Sequence, residues 1–389
     1  MGESTRGWKR AGIAGAAIGV LAAGAAAGVA VERLTVGRSV RQKARLALDS
    51  SGPYGDLRGI SGWARSDDST ELYYEVDEVE GVDGADGVDG ADGVDGVDEG
   101  ALGEPPLTVV FSHGYCLNQD SWHFQRAALR GRVRTVHWDQ RGHGRSARGV
   151  AQSGPDGVPV SIDQLGRDLK AVLDAAAPEG PLVLVGHSMG GMTVMALAAQ
   201  YPGLVRDRVV GAAFVGTSAG ELGEVSYGLP LAGVNAVRRV LPGVLRALGS
   251  QAELVERGRR ATADLFAGVV KKYSFASRDV DPAVARFAER MIEATPIDVV
   301  AEFYPAFAEH DKAIALSAFR DVPVLALAGD GDLVTPAAHT EAIGALLPGA
   351  ELVIVPDAGH LVMLEHPEAV TERLDGLLVR AAGSVPAKG

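Results

Sequence analysis

The sequence predicts an α/β chain: a mostly parallel central sheet with helices on both faces and a block of helices inserted late in the core. Three observations predict it. Short runs rich in Val, Leu and Ile recur at 107–112, 134–138, 182–186, 209–215, 324–329 and 351–355, and runs of this kind read as strands buried on both faces. Helical periodicity fills the spaces between them, at 121–129, 162–177, 337–347 and 368–382. The alternation then stops between Glu221 and Ala318, where helical spacing continues at 234–248, 251–270 and 284–293. That stretch reads as an insertion placed over one end of the sheet.

Taken in order, residues 1–45 are set apart by composition. Residues 11–31 form a 21-residue run without a charge, ten of them alanine and five glycine, just long enough to cross a bilayer as a helix. Arg6, Lys9 and Arg10 precede it, and Arg33, Arg38, Arg41, Lys43 and Arg45 follow. Gly15 and Gly19, and Gly24 and Gly28, are spaced for close helix packing. The preferred reading is a single-span membrane anchor, whose heavier positive flank places the rest of the chain on the cytoplasmic side. The alternatives are a secretory signal cut near Ala25-Ala26-Ala27, and a soluble alanine-rich helix on a cytoplasmic protein.

Residues 70–79 read as an early antiparallel strand, followed by an insert at 80–104. Between Glu75 and Glu104 stand twelve acidic residues and no basic one, so this stretch carries nearly all of the formal net charge of −13. Glycine recurs at every third position from Gly81 to Gly96, and aspartate from Asp83 to Asp98. The repeat lacks the prolines of a collagen triple helix, and it lacks the alternating ligands and closing glutamate of a calcium loop. A solvated, self-repelling insert between two strands is expected.

The single cysteine, Cys116, excludes an intrachain disulfide framework and reads as a small apolar filler. No Cys/His spacing suggests a metal, and no Gly-x-Gly-x-x-Gly or phosphate loop occurs. No metal, no cofactor and no nucleic-acid partner is expected.

Residues 182–191 carry the chemistry. Valine and leucine lead into Gly186-His187-Ser188-Met189-Gly190, and a helical pattern runs from Met192 to Tyr201. Strand, sharp turn and helix put Ser188 at the apex, with Gly186 and Gly190 leaving room for a strained backbone. The free N–H groups at the helix start favour negative charge beside it. A serine-capped turn without chemistry is the plainer alternative. Two later runs weigh against it: 324–329 leads into Asp330-Gly331-Asp332-Leu-Val-Thr-Pro336, and 351–355 into Pro356-Asp-Ala-Gly359-His360. A serine hydroxyl becomes a nucleophile when a neutral imidazole accepts its proton, and the imidazole needs a carboxylate to fix its tautomer. His360 and one of Asp330 and Asp332 fit those roles. The strand 107–112 empties into His113-Gly114-Tyr115-Cys116. Acyl transfer builds charge on a carbonyl oxygen that two fixed main-chain N–H groups stabilise; those of Tyr115 and Met189 are the expected donors. His113 is expected to bond within its own loop, and His187 to pack.

Residues 139–146, Asp-Gln-Arg-Gly-His-Gly-Arg-Ser, closely resemble the Asp-x-Arg-Gly-His-Gly-x-Ser stretch of the α/β-hydrolase superfamily. The order Ser188, acid, His360 is also that of its triad. The resemblance runs over residues 55–385 apart from the insert. It implies the α/β-hydrolase fold, with a hydrolase core at 46–220 and 319–385 and a helical cap at 221–318. The family pattern Gly-x-x-Asp-x-x-x-Pro, counted from Gly329 to Pro336, selects Asp332 as the acid and leaves Asp330 to shape the turn. The earlier strand end, Gly216-Thr217-Ser218, offers no carboxylate before Glu221. Asp139, Arg141 and His143 are expected to hold a loop. Haloalkane dehalogenases and epoxide hydrolases carry aspartate at the place of Ser188, and the His-Gly-Gly-Pro-Gly of proline iminopeptidases is absent. Gly-His-Ser-Met-Gly-Gly looks most like the carboxylesterases, monoacylglycerol-type lipases and cofactor-free haloperoxidase-like members.

The resemblance and the motifs together imply a serine hydrolase acting on a small apolar carboxylic ester or thioester through an acyl-enzyme. Tyr227, Leu229, Leu231, Phe266, Tyr273, Phe303 and Phe307 are candidates for an apolar pocket. Amide or C–C bond hydrolysis on the same triad, and a non-catalytic ligand-binding protein, are the alternatives.

Overall fold

The computed structural model describes residues 54–79, 105–152, 158–222, 225, 243, 263–277 and 279–384. The expectations for 11–31, for the insert 80–104, for most of 234–248, for 251–262 and for Tyr227, Leu229, Leu231 and the side chain of Phe266 lie outside the described residues. Among the described residues, no helix is long and apolar enough to cross a membrane.

The described chain runs β1 (Ile60–Arg65), β2 (Glu71–Asp77), β3 (Thr108–Ser112), α1 (His123–Leu129), β4 (Arg134–Trp138), α2 (Ile162–Ala176), β5 (Leu182–His187), α3 (Met189–Gln200), α4 (Pro202–Arg208) and β6 (Val209–Val215). Then follow α5 (Ala263–Ser274), α6 (Pro282–Ala294), α7 (Ile297–Ala308), β7 (Val324–Gly329), α8 (Ala337–Leu346), β8 (Glu351–Val355), α9 (Val362–Glu365) and α10 (Pro367–Gly383). The strands form one eight-stranded sheet in the order β1-β2-β4-β3-β5-β6-β7-β8. β1 and β2 run antiparallel to their neighbours, and the remaining pairs are parallel. This is the α/β-hydrolase fold.

Alternation along each strand divides the core into two layers. Val109, Phe111, Val183, Val185, Ala213, Val215, Leu325 and Leu327 face one layer, completed by residues of α1, α6 and α10. Val110, Leu182, Leu184, Ala212, Phe214, Val324 and Ala326 face the other, against α2 and α3. Strands covered on both sides have no polar face to show, so β3, β5 and β7 are buried throughout and read as unbroken apolar runs. β1 escapes that signal. It is an edge strand, Ile-Ser-Gly-Trp-Ala-Arg, with Ile60 and Trp63 exposed. The expected helix 121–129 opens as a 3-10 turn at Gln119–Trp122 before α1 begins.

α5, α6 and α7 occupy the long connection between β6 and β7. α7 lays Val299, Phe303 and Ala306 on Met189 and Met192 at the start of α3. Arg148 ties the same helix to the core through Asp298 at 2.7 Å and Glu302 at 2.8 Å. Arg126 of α1 is buried between Asp77 at 2.7 Å and Glu75 at 2.8 Å, both on β2.

Candidate active site

β5 delivers Ser188 on a backbone that only a strained turn provides: φ is +51° and ψ −120°. A left-handed φ on a side chain with a Cβ costs energy and persists where neighbours hold it. Here the Ser188 N–H donates to Val215 O at 2.9 Å, and the Thr217 hydroxyl donates to Ser188 O at 2.7 Å. The flanking glycines are required by proximity. A Cβ on Gly190 would stand 2.2 Å from Ser112 O, and one on Gly186 would stand 2.5 Å from the main chain of Gly190. Glycine thus lets α3 start against β3 and β5, with Ser188 between them.

The structure brings Ser188, His360 and Asp332 into one chain of hydrogen bonds. His360 Nε2 lies 3.0 Å from Ser188 Oγ, and His360 Nδ1 lies 2.8 Å from Asp332 Oδ2. An ionised carboxylate only accepts, so Nδ1 carries the proton and Nε2 is left as an acceptor for the serine hydroxyl. The Asp332 side chain is fully buried. Its Oδ1 accepts the N–H groups of Val334 at 2.8 Å and Thr335 at 2.9 Å, which fixes the carboxylate plane. Asp330 sits apart from the histidine ring, and its Oδ1 takes the Ala358 N–H at 3.4 Å.

Two side chains hold this chain of bonds in ways the sequence reading missed. Thr335 Oγ1 lies 2.9 Å from Asp332 Oδ2, 3.3 Å from His360 Nδ1 and 2.7 Å from Gly216 O. Its hydroxyl therefore sits at the junction of acid, base and β6. The available signal was a hydroxyl three residues after the acid, where a turn closed by the Asp side chain returns the chain to it. His187 does more than pack: its Nε2–H donates to His360 O at 2.9 Å. Burial, reinforced by the charge His360 would carry, pushes the His187 imidazole well below its ordinary range, so it stays neutral.

His113 bonds within and across its loop. Its Nδ1 donates to Gly114 O at 2.7 Å while Nε2 accepts the Gln140 N–H at 2.9 Å. Burial, with His143 adding to it, lowers its pKa to about 3. His143 donates from Nδ1 to Arg141 O at 2.9 Å and is held at about 4 by burial. Asp139 accepts the N–H groups of Gln119 and Arg145, each at 2.8 Å, and Arg141 pairs with Asp168 and Asp68. These residues build the loop beside the serine. Cys116 is buried in the core beneath it.

Tyr115 follows Gly114 on the loop after β3, and a Cβ on Gly114 would stand 3.2 Å from Ser188 Cβ. Met189 is the first residue of α3, where a helix leaves its main-chain N–H without an intrahelical partner. The Tyr115 ring packs on Phe303 and Phe307, with centroids 6.1 Å and 5.0 Å away. Of the pocket candidates, Phe303 and Tyr273 are buried and Phe307 is partly so.

Residues 108–367 match the family described as alpha/beta hydrolase fold. The dihydrolipoyllysine-residue acetyltransferase component of the acetoin cleaving system of Pseudomonas putida is 28% identical over 277 residues, 71% of this chain and 64% of that protein. The chain thus spans a little under two thirds of that relative. The sn-1-specific diacylglycerol lipase ABHD11 of Mus musculus is 29% identical over 277 residues, 69% of this chain and 80% of the lipase. A thermophilic esterase from Thermogutta terrifontis superposes with a TM-score of 0.58 at 23% identity, over 82% of this chain and 98% of its own. At that identity the likeness is one of fold.

Proposed function

The chain belongs to the alpha/beta hydrolase fold family, and from that premise we propose that it is a serine hydrolase that cleaves a carboxylic ester or thioester with an apolar acyl or alcohol part. One observation carries the reading: Ser188 Oγ, His360 Nε2, His360 Nδ1 and Asp332 Oδ2 are joined by bonds of 3.0 Å and 2.8 Å.

In this mechanism Ser188 Oγ attacks the substrate carbonyl while its proton passes to His360 Nε2. Asp332 keeps the proton of His360 on Nδ1 and stabilises the imidazolium. The carbonyl oxygen, now negative, is held by the main-chain N–H groups of Tyr115 and Met189. His360 gives its proton to the departing alcohol or thiol, leaving Ser188 acylated. Water then attacks the acyl group with His360 again as base, and the carboxylic acid leaves. The apolar preference is supported by Met189, Met192, Phe303 and Phe307, which pack together beside the serine. Helices α5 to α7 act as the cap in this reading, and residues 11–31 anchor the chain to a membrane with the enzyme facing the cytoplasm. Membrane fractionation with protease protection checks the anchor: recovery in the soluble fraction would remove it.

The function is tested with p-nitrophenyl esters of graded acyl length, on the full chain and on Ser188→Ala. Turnover should fall on the order of 10^4-fold or more in the variant, and labelling by a fluorophosphonate should disappear with it. Undiminished hydrolysis by Ser188→Ala would defeat the assignment.

A further inference from the structure

The residues on either side of His360 are both held through their main-chain N–H groups, one directly by the chain between β6 and β7 and the other through Glu365. On one side the Leu361 N–H donates to Ser274 O, the last residue of α5, at 2.8 Å. On the other the Gly359 N–H donates to Glu365 Oε2 at 2.6 Å. The same carboxylate accepts through Oε1 from the N–H groups of Ser277 at 2.7 Å and Ala276 at 3.0 Å. Glu365 therefore gathers three main-chain donors from two separate segments onto one side chain. The segments are in close contact as well: a Cβ on Gly359 would stand 2.7 Å from Ala276 N and from the Phe275 main chain. On the side of the acid, a Cβ on Gly331 would stand 2.5 Å from Ala276 Cβ, and the Gly331 N–H donates to Ala358 O at 2.9 Å.

We propose that Glu365 is a positioning residue, which sets His360 against Ser188 by tying the main-chain N–H of Gly359, the residue before the histidine, to residues 276 and 277 of the inserted segment. The proposal rests on the serine-hydrolase reading given above. The physical argument is one of geometry. Bonds from carboxylate to N–H are the stronger kind because the acceptor is charged, and two of the three here are 2.7 Å or shorter. Glu365 lies five residues beyond His360, at the end of the short helix α9, so the loop carrying the base is closed at both ends. With Gly359 tied on one side and Leu361 on the other, the imidazole inherits the place of the segment 274–277. Proton transfer from Ser188 depends on a separation of 3.0 Å, and a shift of a fraction of an ångström there acts on the rate and leaves substrate binding nearly alone.

The test compares the full wild-type chain with Glu365→Gln and Glu365→Asp. Three quantities are read: kcat and KM on a p-nitrophenyl ester, the rate of fluorophosphonate labelling of Ser188, and the thermal midpoint. The amide of Glu365→Gln keeps the shape and replaces one accepting oxygen by a donor. Its kcat and labelling rate should fall by about 10- to 100-fold, with KM within about twofold of wild type and the midpoint little changed. Glu365→Asp keeps the charge on a shorter arm and should recover part of that loss. Wild-type kcat and labelling in Glu365→Gln would overturn the proposal. So would wild-type kcat and labelling per folded molecule, with the whole fall in turnover accounted for by a smaller folded fraction, since a structural role alone explains that. If Glu365→Gln does not fold, Glu365→Asp decides on the same readouts: lowered kcat at unchanged KM supports the role, and wild-type values overturn it. Failure of the wild-type chain itself to turn over or label is a different result, which removes the serine-hydrolase reading and this proposal with it.

Discussion

The phenol of Tyr115 donates to Val300 O at 2.5 Å, joining the loop after β3 to the middle of α7. Burial pushes the Tyr115 phenol well above its ordinary range, so it remains a donor at every working pH. Tyr115, which we propose as an oxyanion donor through its main-chain N–H, is thereby fastened by its side chain to the inserted helices.

Tyr115→Phe keeps that N–H and removes only the bond to Val300. It should lower stability by about 1 kcal/mol, the net worth of a typical buried hydrogen bond, and reduce kcat by less than about tenfold. Urea unfolding beside ester hydrolysis checks both. An unchanged urea midpoint would mean that the bond contributes nothing net.

Thr335→Val retains the shape of the side chain and takes the hydroxyl away from Asp332 Oδ2 and Gly216 O. A hydrogen bond to a charged group contributes about 1.5–3 kcal/mol, and part of that is felt at the base. A fall in kcat of about tenfold with KM nearly unchanged is expected. Thr335→Ser should stay close to wild type, and equal losses in both variants would show that the methyl group matters instead.

Gly190→Ala tests the elbow. The new Cβ would meet Ser112 O at 2.2 Å and Ser112 C at 2.6 Å, both main-chain atoms in the centre of the sheet. Neither can swing aside as a flexible side chain would, so a loss of about 1–3 kcal/mol or more is expected, read as a lowered thermal midpoint. A wild-type midpoint would show that α3 can move away from β3 at little cost.

Acid should destabilise the fold before it affects surface charge pairs. Burial holds His113 at about 3, and His143 and His310 at about 4, against an ordinary value of 6.5. The unfolded chain binds protons on these imidazoles below 6.5 while the folded chain does not. Their contribution is therefore complete above that pH and is lost as pH falls toward 4 and then 3. Asp139 opposes them: burial raises it to about 6 from 3.8, so its contribution is present at low pH and is lost as pH rises through 6. Burial also lowers His123, His137 and His187, and it raises Asp120, Glu302 and Glu365; six imidazoles outweigh the four raised carboxyls. The urea midpoint should fall between about pH 6.5 and 4, and His310→Gln should make that fall shallower. A flat midpoint over this range would contradict the assignment of neutral, buried histidines.

The strands β3, β5, β6 and β7 were legible because burial on both faces leaves unbroken apolar runs, and the turn chemistry after them marks where each run stops. Ser188, Asp332 and His360 stood out because each lies within five residues of the end of an apolar run. β1 was not legible: Ile-Ser-Gly-Trp-Ala-Arg carries no apolar run. Thr335 and Glu365 were hidden for another reason. Threonine after an acid and glutamate in a short helix are ordinary in sequence. Their partners, Gly216 in one case and residues 276 and 277 in the other, are brought near only by the crossing of distant segments. His187 was legible as buried, but its bond to the His360 carbonyl depends on the relative height of β5 and the loop after β8, which no local pattern encodes.

The registers of β2 against β4, and of β3 against β4 and β5, also fix where the sheet leads into and out of residues 80–104. Asp77 at the end of β2 lies beside Thr135, and Thr108 at the start of β3 lies beside Arg134 and Leu182. Both junctions therefore sit where the parallel strands begin, whereas Ser188 follows the last residue of β5. A six-residue strand such as β5 is about 20 Å long. The sheet thus sets a strand's length between either junction and Ser188: the sequence between the junctions leaves and rejoins the core at the pole away from the serine.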